Sequence, residues 1–483
     1  MRKATNFLIL SALVVALFAP SSLALAQSAT AQTWTSSITY YTPSATSGQL
    51  SVTYYQGTTS YTCCTPALTL DAHKAGSLFI GTTSVPDNFA GSAVLSADVP
   101  IVATYVQFAS GAENANFGRM LYNAFSAANA GSTFYVPTIL YQTFGSTSRV
   151  GVQNVESFKI TATLKFYAVG STSPTATKTQ DIDAYASYVF SPADISGLST
   201  GFNGSLVITA TKQGDATTPG RVVASSEETD DAGRGAYAFE GVAGGANTVY
   251  MPSAMCNYGA EGQTSFFAIQ NAGIGAANVT IDYYNTSGAL VASMPSTAIT
   301  EGGKLSRSPC SDGALSGALG SAVIKSTGAA VIAIGKIKAN NGMATAYVGQ
   351  GSGFTKLAAP YIRWSANPSA EFQAYVAIMN VDPVNAATNI TATYYDATGA
   401  SKGTHSVATG ANPLGPFIKR NTTPVLGLAL DANGNFGITP FGGAVEISSD
   451  QPIVVVVRLQ KDVSLGATTR FSEDYNGVDV SSP

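Results

Sequence analysis

Residues 264–284 read TSFFAIQNAGIGAANVTIDYY and residues 35–55 read TSSITYYTPSATSGQLSVTYY, two stretches of equal length that align without a gap. Each closes on a run ending in paired aromatics, and two further runs end the same way at Phe166-Tyr167 and Tyr394-Tyr395. Within each run every second residue is apolar: Leu50, Val52, Tyr54; Ala162, Leu164, Phe166; Val279, Ile281, Tyr283; Ile390, Ala392, Tyr394. Ser, Thr, Lys and Asp stand between them. Alternation with period two predicts strands of a sheet with one buried face.

Other marks recur in the same order. Gly91-Ser92-Ala93-Val94, Gly204-Ser205-Leu206-Val207, Gly320-Ser321-Ala322-Val323 and Gly443-Ala444-Val445 each open another strand. Their spacing is roughly 115 residues, and a fixed period signals tandem repeats. Ser96-x-Asp98-x-Pro100-Ile101-Val102 and Ser448-x-Asp450-x-Pro452-Ile453-Val454 read as a turn followed by a strand, a hairpin feature without catalytic character. Tyr135-Val136-Pro137 and Tyr250-Met251-Pro252, with Ala359-Pro360-Tyr361 as a looser match, open copies two to four. Stretches 109–132, 230–246 and 339–356, rich in Gly, Ala, Ser and Asn, read as linkers, each with a tyrosine in similar register: Tyr122, Tyr237 and Tyr347.

Short strands with turn signals in units of about a hundred residues predict an all-β chain of four tandem immunoglobulin-like sandwiches forming an elongated rod. The expected sandwiches span 33–118, 133–235, 247–345 and 356–470, with a tail at 471–483.

Composition narrows the function classes. Of 483 residues, 24 are Lys or Arg and 28 are Asp or Glu, so charged residues make only 11% and the net charge is −4. A mildly acidic chain without basic runs lacks the footprint that phosphate backbones need, which excludes nucleic acid. Two histidines exclude a multi-histidine metal enzyme. The 45% apolar content is too high for disorder.

Residues 1–26 read as a signal peptide: Arg2 and Lys3, an apolar run from Phe7 to Ala19, and Ala24-Leu25-Ala26 before cleavage at Gln27. The run is shorter than a bilayer span, and no later stretch is long enough, so the mature chain is expected outside the cell without a membrane span. Export permits disulfides. Cys256 and Cys310 lie inside one repeat and suit an intradomain bridge. The adjacent Cys63 and Cys64 could bond to each other, pair with another chain or stay as thiols.

Signal peptide, tandem sandwiches and paired aromatics together resemble the secreted repeat proteins of bacterial cell surfaces: S-layer, sheath, filament and adhesin-stalk proteins. The resemblance is architectural and covers the chain from about residue 33. It implies a surface role and brings no ligand motif with it.

Reagents for catalysis are scarce. Neither His73 nor His405 lies near a nucleophile elbow, and a repeating small sandwich offers no obvious cleft, so no enzyme is expected. Glu227, Glu228, Asp230 and Asp231 could bind calcium at an interdomain junction or form a solvated acidic loop; no other cofactor is suggested. Asp431-Ala432-Asn433-Gly434-Asn435 reads as a calcium-loop start or a plain Asn-Gly turn. Asn203, Asn278, Asn285, Asn389 and Asn421 begin glycosylation sequons.

The leading expectation is a structural surface protein that assembles with itself. The alternatives are an adhesin or carbohydrate-binding stalk, contacting cell-envelope polysaccharide, and an outer-membrane barrel. The first copy has no aromatic-Pro lead-in and is expected to lack its opening strand. Val478, Asp479 and Val480 in the tail are the matching surplus, a candidate donor strand for the first sandwich of the next subunit.

Overall fold

Alternating apolar residues between glycine-rich turns produce antiparallel strands from Trp34 onward. The computed structural model describes residues 34–109, 119–230, 236–367, 371–438, 442–461 and 471–481. Among these there is no α-helix, and the strands lie in seven sheets of three to eight strands.

The first two-sheet unit contains β1 (Trp34–Tyr41), β2 (Gly48–Gln56), β3 (Thr59–Leu70), β4 (Ala75–Phe79), β5 (Ser92–Ala97), β6 (Val102–Ala109) and β7 (Met120–Asn123). Its sheets have the orders β4-β1-β6-β7 and β3-β2-β5. The second contains β8 (Thr133–Tyr141), β9 (Ser146–Asn154), β10 (Ile160–Ala168), β11 (Ala176–Ile182), β12 (Ser187–Phe190), β13 (Phe202–Lys212), β14 (Asp215–Pro219), β15 (Val222–Asp230) and β16 (Ala236–Glu240). Here β12-β9-β15-β16 faces β11-β10-β13-β14, and β8 also pairs with β13.

The third contains β17 (Thr248–Cys256), β18 (Thr264–Asn271), β19 (Ala277–Asn285), β20 (Leu290–Ile299), β21 (Lys304–Arg307), β22 (Ala318–Gly328), β23 (Val331–Lys338) and β24 (Ala344–Val348). Its sheets are β17-β22-β19-β20 and β21-β18-β23-β24. The fourth contains β25 (Phe354–Ile362), β26 (Gln373–Asn380), β27 (Ile390–Tyr395), β28 (Ser401–Ala408), β29 (Lys419–Thr422), β30 (Gly443–Lys461), β31 (Phe471–Asn476) and β32 (Val478–Asp479). Its two layers are joined because β30 is long: the first half pairs with β25 and β27, the second with β26 and β31.

The alternation sets the cores. All twelve inward residues read from the four aromatic-paired runs are buried, from Leu50 to Tyr394. The lead strands β8, β17 and β25 show why proline recurs there. Their registers shift between Val136 and Ile139, between Met251 and Ala254, and between Ala359 and Ile362, so Pro137, Pro252 and Pro360 fall inside bulges. A residue without an N–H is tolerated at a bulge because the ladder is already interrupted.

The expected boundaries need correction. The stretches read as linkers contain β7, β16 and β24, each hydrogen-bonded into the unit that precedes it. The tail contains β31, the fourth strand of this kind, paired with β30. These closing strands touch one another: β7 meets β16, β16 meets β24, β24 meets β31, and β31 returns to β7.

The rod is therefore corrected as well. From Trp34 on the chain forms one compact unit, with the first two-sheet unit packed against the fourth. Val106 and Leu121 of the first join the core of the fourth. A head-to-tail contact used repeatedly produces an open filament or a closed cycle depending on the rotation it imposes, and here the fourth contact returns to the start.

Candidate functional site

The joint between consecutive units is built from residues that the repeat supplies at fixed places. The first aromatic of each pair fills its own core; the second faces the next unit. Tyr55 meets Tyr185 at 5.5 Å between ring centroids, and Tyr284 meets Phe417 at 5.0 Å. At the second joint Tyr167 lies against Gly302, where an added Cβ would come within 2.7 Å of its ring.

Tyr185, Gly302 and Phe417 share a backbone role. Each stands two residues before β12, β21 or β29 with positive φ, at 60°, 69° and 59°. The left-handed conformation turns the carbonyl toward the preceding unit. There Ser92 Oγ donates to the Tyr185 carbonyl at 2.8 Å, Ser205 Oγ to Gly302 at 2.6 Å, and Ser321 Oγ to Phe417 at 2.8 Å. The recurring Gly-Ser mark is thus an interdomain hydrogen bond. Its sequence signal was visible, but nothing local reveals that the partner lies in another unit.

The fourth joint differs in chemistry. Ala444 replaces the serine, and His73, with φ 53°, occupies the left-handed position two residues before β4. Its ring stacks on Tyr395 at 4.6 Å. Glu446 Oε1 accepts from the Tyr41 hydroxyl at 2.7 Å and lies 3.2 Å from His73 Nδ1. Burial, then the Glu446 charge, pushes the Tyr41 hydroxyl well above its usual range. This constellation is a neutral phenol on a carboxylate, with an imidazole stacked beside it, and it closes the cycle.

Buried polar contacts line the meeting of the closing strands. Arg119 of the first unit pairs with Glu473 of the fourth at 2.5 Å, and Lys336 of the third pairs with Glu228 of the second. Asn123 Nδ2 donates to the Asn476 carbonyl, while Asn476 exchanges two hydrogen bonds with the Val348 backbone. Lys304 Nζ reaches Thr138 and Asn203 across the second joint; burial and the nearby Lys336 push it down to about 7. Buried pairs of this kind fix which surfaces meet more than they stabilise.

The first two residues of the acidic run are set apart by the strand that carries them. Glu227 and Glu228 are neighbours on β15 and so face opposite sides of the sheet. Glu228 is taken by Lys336, and Glu227 faces Arg149 and the Gln107 amide. Asp230 ends the strand, and Asp231 lies outside the described residues. Among the described residues no three His, Cys, Asp or Glu side chains converge on a metal position. Asp431 accepts from the backbone of Asn433 and Asn435, a side-chain-closed turn.

Cys256 and Cys310 are bridged, as expected, and Cys63 is bonded to Cys64. His405 lies on β28 with Nδ1 2.9 Å from Thr422 Oγ1, remote from His73 in role. Of the sequons, Asn278, Asn389 and Asn421 are exposed, whereas Asn203 serves Lys304. Asp98 and Asp450 of the recurring turn accept from the backbone at Gln49 and at Thr388-Asn389, closing the hairpin onto the neighbouring strand.

Val478, Asp479 and Val480, expected as donor-strand residues for another subunit, are paired within their own chain. Val478 and Asp479 pair with Ala358 and Leu357 of the same chain, and the Val480 N–H donates to the Lys356 carbonyl. Val478 and Val480 pack with Tyr41, Ala75 and Val102 of the first unit and with Ala358 and Ala444 of the fourth. The tail thus seals the fourth joint. The residues after β16 and β24 touch their own lead strands likewise, at Val242–Tyr135 and Gln350–Tyr250, so this is a repeat position rather than a surplus.

The first unit differs from the others at one sheet edge. In units two to four the strand after the Gly-Ser mark is paired on both sides: β13 with β10 and β8, β22 with β19 and β17, and the first half of β30 with β27 and β25. Among the described residues β5 pairs with β2 alone.

No protein-family model matches the chain, and no curated protein does either. No helix among the described residues is long and apolar enough to cross a membrane.

Proposed function

We propose that this chain is a non-enzymatic structural protein of a bacterial cell surface, exported and built from four immunoglobulin-like sandwiches, which associates with further copies of itself in a layer, sheath or filament. One observation carries this reading: the residues that recur at fixed places serve packing and docking, not reagents. The second aromatic, the left-handed residue and the Gly-Ser serine are spent on joining units. The two disulfides and the leader-like start suit an oxidising compartment.

Because the head-to-tail joint closes on itself, contacts between copies must use other surfaces than those joints. Negative-stain microscopy with immunogold labelling of the producing cells tests the reading. Label on ordered extracellular material, and arrays from purified protein, are expected. Label confined to the cytoplasm rejects it. Glycan-dependent attachment by a monomer that forms no array replaces it with the adhesin reading.

A further inference from the structure

We propose that the first unit is a strand acceptor: its open β5 edge takes an extended segment of another polypeptide, in the place that a lead strand fills in the other three units. The inference is independent of the surface-layer reading. It rests on comparing one position four times within the chain.

Leu206 and Ile208 on β13, Ala322 and Ile324 on β22, and Val445 and Ile447 on β30 are all fully buried. Their counterparts on β5, Ala93 and Leu95, are only half-buried, as is every residue of β5 except the more exposed Ser96. The difference is one missing strand. Opposite Ile208, Ile324 and Ile447 stand Phe134, Val249 and Leu357; opposite Leu206, Ala322 and Val445 stand Val136, Met251 and Ala359. All six are buried. Among the described residues the first unit therefore has a core with one side unfilled, beside a row of unpaired backbone groups.

The three templates define the chemistry of the occupant. It runs antiparallel to β5, sets one apolar side chain opposite Leu95 and the next opposite Ala93, and continues through a proline at a bulge. A further apolar residue then meets the Gly91 end, as Ile139, Ala254 and Ile362 do at Gly204, Gly320 and Gly443. The occupant is assigned to a different chain because, among the described residues, the candidates in this one are committed. Val478–Val480 lie on β25, and Thr133–Tyr141, Thr248–Cys256 and Phe354–Ile362 lead their own units.

The experiment uses the full mature chain and a labelled peptide of sequence TFYVPTILY, copied from Thr133–Tyr141. Saturable one-to-one binding is expected, with slowed amide exchange confined to Ser92–Ala97 and its surroundings. A peptide carrying Phe134→Asp and Val136→Asp should bind about a hundredfold more weakly or worse, since both buried apolar anchors are lost. A chain with TFYVPTILY fused through a flexible linker ahead of Trp34 should fill its own edge and lose peptide binding. Absence of saturable binding, or protection elsewhere than β5, overturns the proposal. So does protection of β5 in the free protein, whether by residues 27–33 or by a second copy.

Discussion

The imidazole of His73 and the phenol of Tyr395, from opposite ends of the chain, lie with ring centroids 4.6 Å apart and planes 13° from parallel. Their contact is the fourth use of a joint whose first three uses link successive units. Replacing either ring by alanine should weaken the attachment of the first unit to the fourth. A double-mutant cycle with His73→Ala and Tyr395→Ala should give a coupling of about 1 kcal/mol, the scale of an aromatic pair. Amide exchange should quicken in β1 and β25 and stay unchanged in β18. Unchanged exchange at β1 would mean that the stack does not hold the cycle closed.

Removing Gly477–Pro483 should loosen the same joint. Val478 and Val480 cover Tyr41 and Ala75 across it, and their loss should cost about 1–3 kcal/mol in chemical denaturation. A truncated chain as stable as the intact one would show that the tail is dispensable for closure.

Asn154, Asn271 and Asn380 end β9, β18 and β26, and each is fully buried. The side-chain amide of Asn271 donates to the Gly275 and Ile299 carbonyls while its oxygen accepts from Gly273. Asn154 and Asn380 repeat the arrangement. Alanine at any of the three leaves buried backbone groups unpaired, and about 2–4 kcal/mol should be lost from the unfolding free energy. Losses below about 0.5 kcal/mol, the ordinary range for uninvolved surface sites, would show that water replaces the amide.

Stability should rise with pH above neutrality. Lys304 is pushed down to about 7 by burial, against an ordinary value of about 10.4. Between these limits the unfolded chain keeps a proton that the folded chain has released, so folding becomes more favourable as pH rises through the window. Below it the whole burial penalty is present. Lys304→Met should reduce the rise in denaturation midpoint between pH 7 and pH 9, as judged from that window. Lys419, held down to about 7 in the same way, should supply the remainder. An unaltered rise in the variant would remove Lys304 from the account.

Replacing both Cys256 and Cys310 by serine should cost about 3–4 kcal/mol, because the bridge closes a loop of 54 residues. Urea midpoints of the intact and substituted chains measure it. Equal midpoints would place the third unit's stability in its core alone.

The amino-acid sequence by itself determined the strands that end in paired aromatics, their inward faces and the repetition. Alternation is a local property, so Leu50, Leu164, Ile281 and Ala392 could be placed in cores without knowing what surrounds them. The Cys256–Cys310 bridge was legible for a similar reason: both residues belong to one repeat. Which unit touches which was decided only by the tertiary structure. Tyr55, Tyr167, Tyr284 and Tyr395 look alike in sequence, and whether the last meets solvent or His73 depends on a rotation accumulated over four joints. The same holds for stretches 109–132, 230–246 and 339–356, which read as linkers although Met120–Asn123, Ala236–Glu240 and Ala344–Val348 within them are strands packed together. Strands as short as Met120–Asn123 and Ala344–Val348 hold too few residues for alternation to show, so only their packing against one another reveals them.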